Sequence, residues 1–451
     1  MNLATLESAQ PWAPCAEAAP RTIRLAGGRL ETAGNGTRFC CGGWRLTYAG
    51  AEPGSAIRVA VDVSTEGLDI PRDQLFCWIH WADLAAGAPM ASGGTLWDSL
   101  RIESIDQEKV RFSRIVEVPR GVRRFALDCV FRYSAAGRAV WSPPVFEPSA
   151  GLRSGKRQVT ACVATGRPAE RGYIGTVADN VEYYSKICEA ACLAIHPDVI
   201  LLPENCLQYG LKERRAADAI VAPGPETEAF AALARRRSVR IVLGTKERDG
   251  DAVRNSALLI APNGTIDGRY RKVQLAIGEM VSGILPGDRF PVFETEIGRI
   301  GCNICKDISY PEPARAVGLQ GAEFLMLPIA GDHRASRWTA GSPTFDDERW
   351  KIIMRVRAMD NQLCLVVARN AGAGSCIVDR SGAILAYQDG GSDYISAVVD
   401  REAPFRMWNG GCFRDDAYTL RRPIAFEPLC DPLRYCPDPA PARMESAACA
   451  K

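Results

Sequence analysis

A change in hydrophobic spacing around residues 142–157 constrains the fold of this chain more than any other feature. Before it, in the segments AIRVAVDVS and VRRFALDCVFR, apolar side chains recur at every second position. A period of two residues is typical of a β-strand with one buried face. Beyond it, short runs that are apolar throughout, such as DVILLP and EFLMLPIA, alternate with helical patterns. The sequence therefore predicts an all-β region followed by an α/β region, in which helices pack on buried strands.

The boundary itself, SPPVFEPSAGLRSGKR, is rich in proline, glycine and serine. Single hydrophobic cores rarely grow beyond about 300 residues, so a chain of 451 residues is expected to form two domains. We expect residues 1–150 to form a β-sandwich-like domain that is irregular up to about residue 40. Residues 156–430 are expected to form the α/β domain, and residues 431–451 a loosely ordered tail.

Charge and composition narrow the classes of partner. Lys and Arg together number 55 and Asp and Glu 53, so no net field favours nucleic acid or an anionic membrane. The N-terminal segment MNLATLESAQPWAP lacks a basic region followed by an apolar stretch, and no later run is long enough to span a bilayer. We therefore expect a cytoplasmic protein that acts on small neutral substrates. Its 17 cysteines are an odd number without a compact framework, which favours reduced thiols.

The three histidines limit the possible mechanisms. A Ser-His-Asp or Cys-His mechanism would have to use His80, His196 or His333. His196 lies in AIHPD, where a helix is expected to end, and His80 lies in the strand-like run LFCWIHWAD. No HExxH or other clustered ligand pattern is present, so a zinc enzyme is not expected.

Three polar residues follow buried strands, where side chains of an α/β fold leave the core. They are Glu204 after DVILLP, Lys272 in GRYRKVQL, and Cys305 in RIGCNICKD. A thiol that attacks an amide needs a base that later returns the proton to the leaving amine, and Glu204 can do both. Its apolar neighbours predict desolvation, which favours the protonated carboxyl. Lys272 and the backbone amide of Lys306 would stabilise the oxyanion.

Each of these residues also has a plain structural interpretation. Taken alone, Glu204 is a polar cap at a strand end, Lys272 a surface lysine, and Cys305 a buried thiol. The run CNIC matches the C-x-x-C spacing of redox and zinc sites, but it lacks the context of either. Cys302 is therefore expected to pack in the core. Only the three residues together, at three strand ends, favour chemistry.

The segments LLPE, RYRKVQL and NICKDISYPEPAR resemble the catalytic segments of the nitrilase, or carbon-nitrogen hydrolase, superfamily. The resemblance covers about residues 156–425 and includes VLGTKER, NSALLIAPNG and RAMDNQLCLVVARNAG. It implies a Glu-Lys-Cys triad with Glu204 as general base and acid, Lys272 as the oxyanion-stabilising lysine and Cys305 as the nucleophile. Glu279, in IGEM, is similar to a second glutamate that orients the lysine and the substrate.

The resemblance also implies an αββα sandwich that pairs with a second subunit into homodimers or larger assemblies, without an organic or metal cofactor. The sequence departs from the family pattern at Lys306, where an aromatic residue is common, and at Asp360-Asn361, which replaces Glu-Asn. Lys306 adds positive charge beside the thiol, which favours a thiolate or a substrate with a carboxylate. True nitrilases typically have Trp-Glu after the nucleophile, so Lys306-Asp307 favours amides over nitriles. His333, Arg337 and Trp338, in GDHRASRW, lie where the substrate-pocket wall is expected.

The leading hypothesis is a thiol amidohydrolase that cleaves a non-peptide amide through an acyl-enzyme on Cys305. An N-carbamoyl hydrolase and an acyltransferase of the same superfamily remain open, as does a binding protein with a vestigial site. The role of the β-rich domain is also open, because Trp78, Trp81 and Trp97 can form either a binding face or part of its core.

Overall fold

The computed structural model describes residues 4–81, 96–150, 156–166, 172, 175–211, 218–331, 345–370, 373–401, 411 and 418–431. The chain divides into two compact units at residues 154 and 155. Gly411 and residues 418–431 group with the first unit, although the sequence pattern places most of them in the α/β domain. Arg422 explains part of this grouping, because its Nε donates to Asp73 Oδ2 over 2.9 Å. The predicted tail begins at residue 431 and otherwise lies outside the described residues.

The first unit is built from antiparallel sheets. A five-stranded sheet has the order β1-β4-β10-β6-β7, and a second sheet has the order β2-β3-β11-β5-β9-β8 with β12 also paired to β5. The strands are β1 Thr5–Trp12, β2 Arg21–Arg24, β3 Leu30–Ala33, β4 Cys41–Ala49, β5 Ala56–Glu66, β6 Leu75–His80, β7 Trp97–Ser99, β8 Arg101–Asp106, β9 Lys109–Glu117, β10 Arg124–Arg132, β11 Arg138–Trp141 and β12 Val145–Ser149. One short helix, α1 Pro71–Gln74, precedes β6.

The alternating segments of the sequence supply the shared core of these two sheets. Val59 and Val61 of β5 join Leu127 of β10 in one buried cluster, as the two-residue period predicts. Trp81 and Trp97 are also buried, so they fill space rather than form an open face. The expectation that the chain is irregular up to about residue 40 is wrong, because β1, β2 and β3 lie there. Their partners β4 and β11 are distant in sequence, and such tertiary pairing does not show in local patterns.

The second unit is α/β, as predicted, and contains two six-stranded mixed sheets. Their orders are β17-β16-β15-β14-β13-β24 and β18-β19-β20-β21-β22-β23, with parallel pairs at the centre of each. The strands are β13 Gln158–Ala164, β14 Val199–Leu201, β15 Arg240–Asp249, β16 Ala252–Ile260, β17 Ile266–Arg271, β18 Val292–Thr295, β19 Gly298–Cys302, β20 Phe324–Ile329, β21 Cys364–Arg369, β22 Cys376–Val378, β23 Ile384–Tyr387 and β24 Tyr394–Asp400.

Three buried clusters arrange the second unit in layers. Ile300 and Met326 of one sheet pack against Leu201 of the other, so the two sheets face each other. Further clusters join α2 and α3 to the outer face of the first sheet, and α5 and α6 to the outer face of the second. The helices are α2 Val177–Ile195, α3 Pro225–Arg237, α4 Ile277–Met280, α5 Pro311–Leu319 and α6 Asp347–Asn361.

Helix α2 illustrates how local signals set these elements. Its N-terminus is a capping box, in which Thr176 and Asp179 satisfy each other's backbone N–H groups. It ends at His196, which adopts a left-handed conformation with φ of 46°, as the sequence before Pro197 predicts. The predicted face, including Tyr184 and Cys188, is buried against the sheet. Of the helices in the described residues, none combines the length and apolarity needed to cross a membrane.

Candidate active site

The three candidate residues follow strands from both sheets of the second unit. Glu204 comes three residues after β14, and Lys272 directly follows β17 of the same sheet. Cys305 comes three residues after β19 of the opposite sheet, at the start of the 3₁₀ turn Cys305–Ser309. Because the sheets face each other, the ends of their strands bring the three side chains together.

Lys272 is a buried cation between two carboxylates. Its Nζ lies 2.7 Å from Glu204 Oε1 and 2.7 Å from Glu279 Oε2, and its side chain is 1% exposed. Glu279, on α4, also accepts a hydrogen bond from the Ala276 backbone N–H over 2.8 Å. Glu279 therefore contacts the lysine. An ammonium group has three N–H donors, and the hydrogen bonds formed with described residues use two of them.

Asn255 is a further member of this cluster that the sequence analysis did not single out. Its Nδ2 donates to Glu204 Oε1 over 2.7 Å and to Glu279 Oε1 over 2.6 Å. The other oxygen of Glu204, Oε2, accepts the Ala330 backbone N–H over 2.7 Å. Both glutamates are thereby fixed in place. The only signal in the sequence was a polar residue that opens the apolar run NSALLIAP.

The close approach of two strands positions Glu204. A Cβ on Gly244, in the segment VLGTKER, would lie 2.3 Å from the carbonyl oxygen of Pro203 and 3.0 Å from the Glu204 Cα. Only glycine allows this contact without a shift of the backbone. Asn205, the next residue, turns the chain with φ of 49°. The site therefore depends on backbone geometry next to Glu204 as well as on its side chain.

Cys305 is half-buried and lies in a left-handed backbone conformation, with φ of 44°. Its Sγ donates a hydrogen bond to the carbonyl oxygen of Gly331 over 3.0 Å. Burial and the nearby charge of Glu204 raise the pKa of the thiol, and together they outweigh the opposing charge of Lys272. Cys305 therefore rests as a neutral thiol at pH 7.

The two buried charges adjoining it support each other. Burial opposes ionisation of Glu204, but the charge of Lys272 and hydrogen bonds from Lys272, Ala330 and Asn255 leave its pKa lowered. Burial likewise opposes the charge of Lys272, yet Glu204 and the other nearby anions raise its pKa. The expectation that desolvation keeps Glu204 protonated is therefore wrong for the resting site, because the adjacent cation outweighs burial.

Other predicted residues lie apart from this cluster or outside the described part of the chain. Lys306 is half-buried beside Cys305, and its side chain has no ion pair with any described residue. His333, Arg337 and Trp338 fall in residues 332–344, outside the described residues. Cys302 is fully buried in the core, as predicted.

His80 is a buried residue of β6 in the first unit, as expected of a strand residue, and its Nε2 lies 3.2 Å from Asp128 Oδ2. Within the described ranges, no group of three or more His, Cys, Asp or Glu residues is arranged to bind a metal ion.

Curated proteins provide several partial matches. The chain is 34% identical to a probable nitrilase of Schizosaccharomyces pombe over 156 residues, which are 34% of this chain and 53% of that protein. It is 28% identical to an omega-amidase of Xenopus tropicalis, over 40% of this chain and 68% of that protein. It is also 28% identical to a citrullinase of Francisella tularensis, over 46% of this chain and 75% of that protein. The chain thus spans about half to three quarters of the length of these relatives.

A solved carbon-nitrogen hydrolase from Helicobacter pylori superposes with a TM-score of 0.47 at 22% identity, covering 60% of this chain and 97% of that one. The profile of the family described as carbon-nitrogen hydrolase matches residues 162–403, more than half of the 451 residues. This range contains Glu204, Lys272 and Cys305. The chain therefore belongs to the carbon-nitrogen hydrolase family, as its three strand-end segments predict.

Proposed function

We propose that this protein is a thiol amidohydrolase that cleaves a non-peptide amide through an acyl-enzyme on Cys305. One observation carries the proposal: a buried ammonium group, held by two glutamates, adjoins a thiol at the junction of two sheets. A buried charge is costly unless it is paired. Such a cluster beside a thiol has the parts that acyl transfer needs, namely a base, an oxyanion stabiliser and a nucleophile.

In the first step, Cys305 Sγ attacks the amide carbonyl carbon while its proton passes to Glu204. The carbonyl oxygen becomes an oxyanion, which Lys272 stabilises with the N–H that no described residue uses, together with the backbone amide of Lys306. The oxyanion then competes with Glu204 for the charge of Lys272. Because the charge of Lys272 is the largest influence that lowers the pKa of Glu204, this competition makes Glu204 a better base as the bond forms.

In the second step, the tetrahedral intermediate collapses and the C–N bond breaks. Glu204 returns the proton to the departing ammonia or amine, which leaves a thioester on Cys305. Glu204, again ionised, then takes a proton from water as the water oxygen attacks the thioester. Collapse of the second intermediate releases the carboxylic acid and restores the thiol. The net reaction adds one water molecule and releases one amine, without a cofactor.

The substrate class is proposed as a small amide. A relative named omega-amidase supports amides, and Lys306 beside the nucleophile favours a substrate with a carboxylate. A relative named citrullinase supports a second candidate, hydrolysis of a ureido group, in which the same residues would act on an N-carbamoyl carbon. An acyltransferase would share the first step and deliver the acyl group to an amine instead of water.

The test is release of ammonia from four probes: propionamide, succinamate, citrulline and propionitrile. The wild-type protein is compared with Cys305→Ala and, as a matched control, Cys302→Ala at the buried thiol nearby. We expect release from succinamate or propionamide by the wild type and by Cys302→Ala, and none by Cys305→Ala.

Turnover by a folded Cys305→Ala variant would overturn the proposal. Release from citrulline alone would favour ureido hydrolysis over amide hydrolysis. Formation of a hydroxamate when hydroxylamine is added, with no carboxylic acid formed when it is absent, would favour the acyltransferase.

A further inference from the structure

Asp307, two residues after the candidate nucleophile, is a buried carboxylate that the proposed reaction does not use. It is 0% exposed and accepts three hydrogen bonds. Its Oδ2 accepts the Tyr270 hydroxyl over 2.6 Å and the Ile304 backbone N–H over 2.8 Å. Its Oδ1 accepts the Gln274 backbone N–H over 2.8 Å. We call these four residues the Asp307 cluster.

The donors come from the two segments that carry the candidate lysine and the candidate nucleophile. Tyr270 lies two residues before Lys272, and Gln274 lies two residues after it. Ile304 lies directly before Cys305. One carboxylate therefore joins the end of β17, in one sheet, to the turn after β19, in the other.

The turn that presents Cys305 needs such support. A residue other than glycine in the left-handed region is disfavoured and persists only where its surroundings hold it. Here the bond from Ile304 N–H to Asp307 Oδ2 is matched by one from Asp307 N–H to Ile304 O over 3.0 Å. The two bonds close the turn on both sides of Cys305. The same side chain then anchors this turn to the Lys272 segment.

We propose that Asp307 is a positioning residue that sets where the Cys305 thiol lies relative to the Lys272 ammonium. The inference rests on the proposed function, because it assigns Asp307 a role in the same acyl transfer. Asp307 does not touch the reacting atoms in this arrangement. It acts through the backbone of Ile304 and Gln274, so that attack on the carbonyl and stabilisation of the oxyanion occur in one geometry.

The ionised form of Asp307 suits this role, since all three of its partners are donors. Burial raises the pKa of Asp307 to about 6, against the opposing effects of the hydrogen bonds from Tyr270, Ile304 and Gln274 and of the Lys272 charge. At pH 8 the carboxylate is therefore ionised. The variants are therefore measured at pH 8, where the wild-type Asp307 is ionised and accepts all three hydrogen bonds.

The test variant is Asp307→Asn, which keeps the shape but replaces one acceptor oxygen by a donor. The readouts are kcat and KM for the amide that the wild type turns over fastest among propionamide and succinamate, and the melting temperature. We expect kcat to fall about 100-fold while KM stays within about threefold, because displacement of reacting groups by about 1 Å costs roughly that much. The rate at which iodoacetamide alkylates Cys305, followed by peptide mass spectrometry, should fall with kcat.

Two hydroxyl deletions separate positioning from stability. Tyr270→Phe removes one donor to Asp307 and should lower kcat by about tenfold or less. Tyr387→Phe is the matched control, because Tyr387 also donates its hydroxyl to an aspartate, Asp347, in the same unit. Tyr387→Phe should leave kcat unchanged even if it lowers the melting temperature. If Asp307→Asn does not fold, the test is the comparison of kcat between Tyr270→Phe and Tyr387→Phe.

A folded Asp307→Asn variant with kcat within threefold of the wild type would overturn the inference. So would equal losses of kcat in Tyr270→Phe and Tyr387→Phe, since both would then reflect stability alone. These results differ from failure of the proposed function, which requires turnover without Cys305. An inactive Cys305→Ala variant beside a fully active Asp307→Asn variant would reject the positioning role and leave the thiol mechanism in place.

Discussion

Two buried cations in the second unit invite comparison. Lys272 and Arg240 are each 1% exposed, and each lies between two carboxylates. Arg240 donates to Asp267 from Nη1 over 2.7 Å and from Nη2 over 2.8 Å. It donates to Glu296 from Nε over 2.9 Å and from Nη2 over 2.7 Å. Both residues lie at the end of a strand, Arg240 as the first residue of β15 and Lys272 directly after β17. The difference lies in the carboxylates.

The carboxylates of Arg240 reach water, with exposed fractions of 35% and 44%. Those of Lys272 reach water far less, with exposed fractions of 3% for Glu204 and 17% for Glu279. Water screens the charges of Arg240 and its two carboxylates, so these ion pairs have a structural role. Around Lys272 the charges act on one another and on the adjoining thiol, where little solvent intervenes. The same pairing of charges is thus screened by water in one place and, in the proposed reaction, acts on the thiol in the other.

Lys272→Met should have the largest effect on turnover. It removes the cation from two buried glutamates and from the forming oxyanion, so we expect kcat for the preferred amide to fall about 1000-fold, the upper range for loss of one oxyanion donor. Circular dichroism checks that the variant is folded. A folded variant with kcat within tenfold of the wild type would place Lys272 with Arg240 as a structural cation.

Glu204→Gln should abolish hydrolysis and also change the ionisation of the thiol. The charge of Glu204 raises the pKa of Cys305, whereas Lys272 lowers it. Removal of the carboxylate takes away the anion that raises the pKa of the thiol and leaves the lowering effect of Lys272, so the pH midpoint for alkylation of Cys305 by iodoacetamide should move to lower pH. Peptide mass spectrometry follows Cys305 separately from the other thiols. A midpoint that stays fixed or rises would contradict the expectation that the charge of Glu204 raises the pKa of Cys305.

Arg240→Met should have the smallest effect on the reaction. The variant keeps most of the side-chain volume, and water can solvate the two released carboxylates. We therefore expect a loss of about 2 kcal/mol in the free energy of unfolding, near the value for hydrogen bonds to charged groups. Urea denaturation measures this loss, and kcat should be unchanged. A threefold or greater loss of kcat in the folded variant would contradict the division into structural and chemical cations.

Much of the candidate site was predictable because its residues follow buried strands. Glu204 and Cys305 come at the ends of apolar runs, Lys272 follows the strand-like segment after the turn PNGTIDG, and the order of these segments carries the family resemblance. Asn255 and the contacts of Asp307 were not predictable. Their roles depend on which strand ends meet across two sheets, and a single sequence does not encode this as a local pattern.

The fold shows the same limit. The second unit has strong local signals, since strands such as β14 and β20 are apolar throughout and helices such as α2 have caps. The first unit begins with strands that pair with distant partners, such as β1 with β4, and these segments look irregular in isolation. Predictions from one sequence are therefore most secure for strands and helices that show a strong burial pattern. They are least secure for strands that form only by pairing with a strand distant in sequence.

The division of the site between two sheets has a consequence for how this protein would respond to heat or denaturant. Glu204 and Lys272 follow strands of one layer, and Cys305 follows a strand of the other. A small slip between the layers would separate the thiol from the charges while every strand kept its own hydrogen bonds. Activity should then be lost at a lower temperature or denaturant concentration than secondary structure. The rate of turnover would therefore report on the packing between the two sheets.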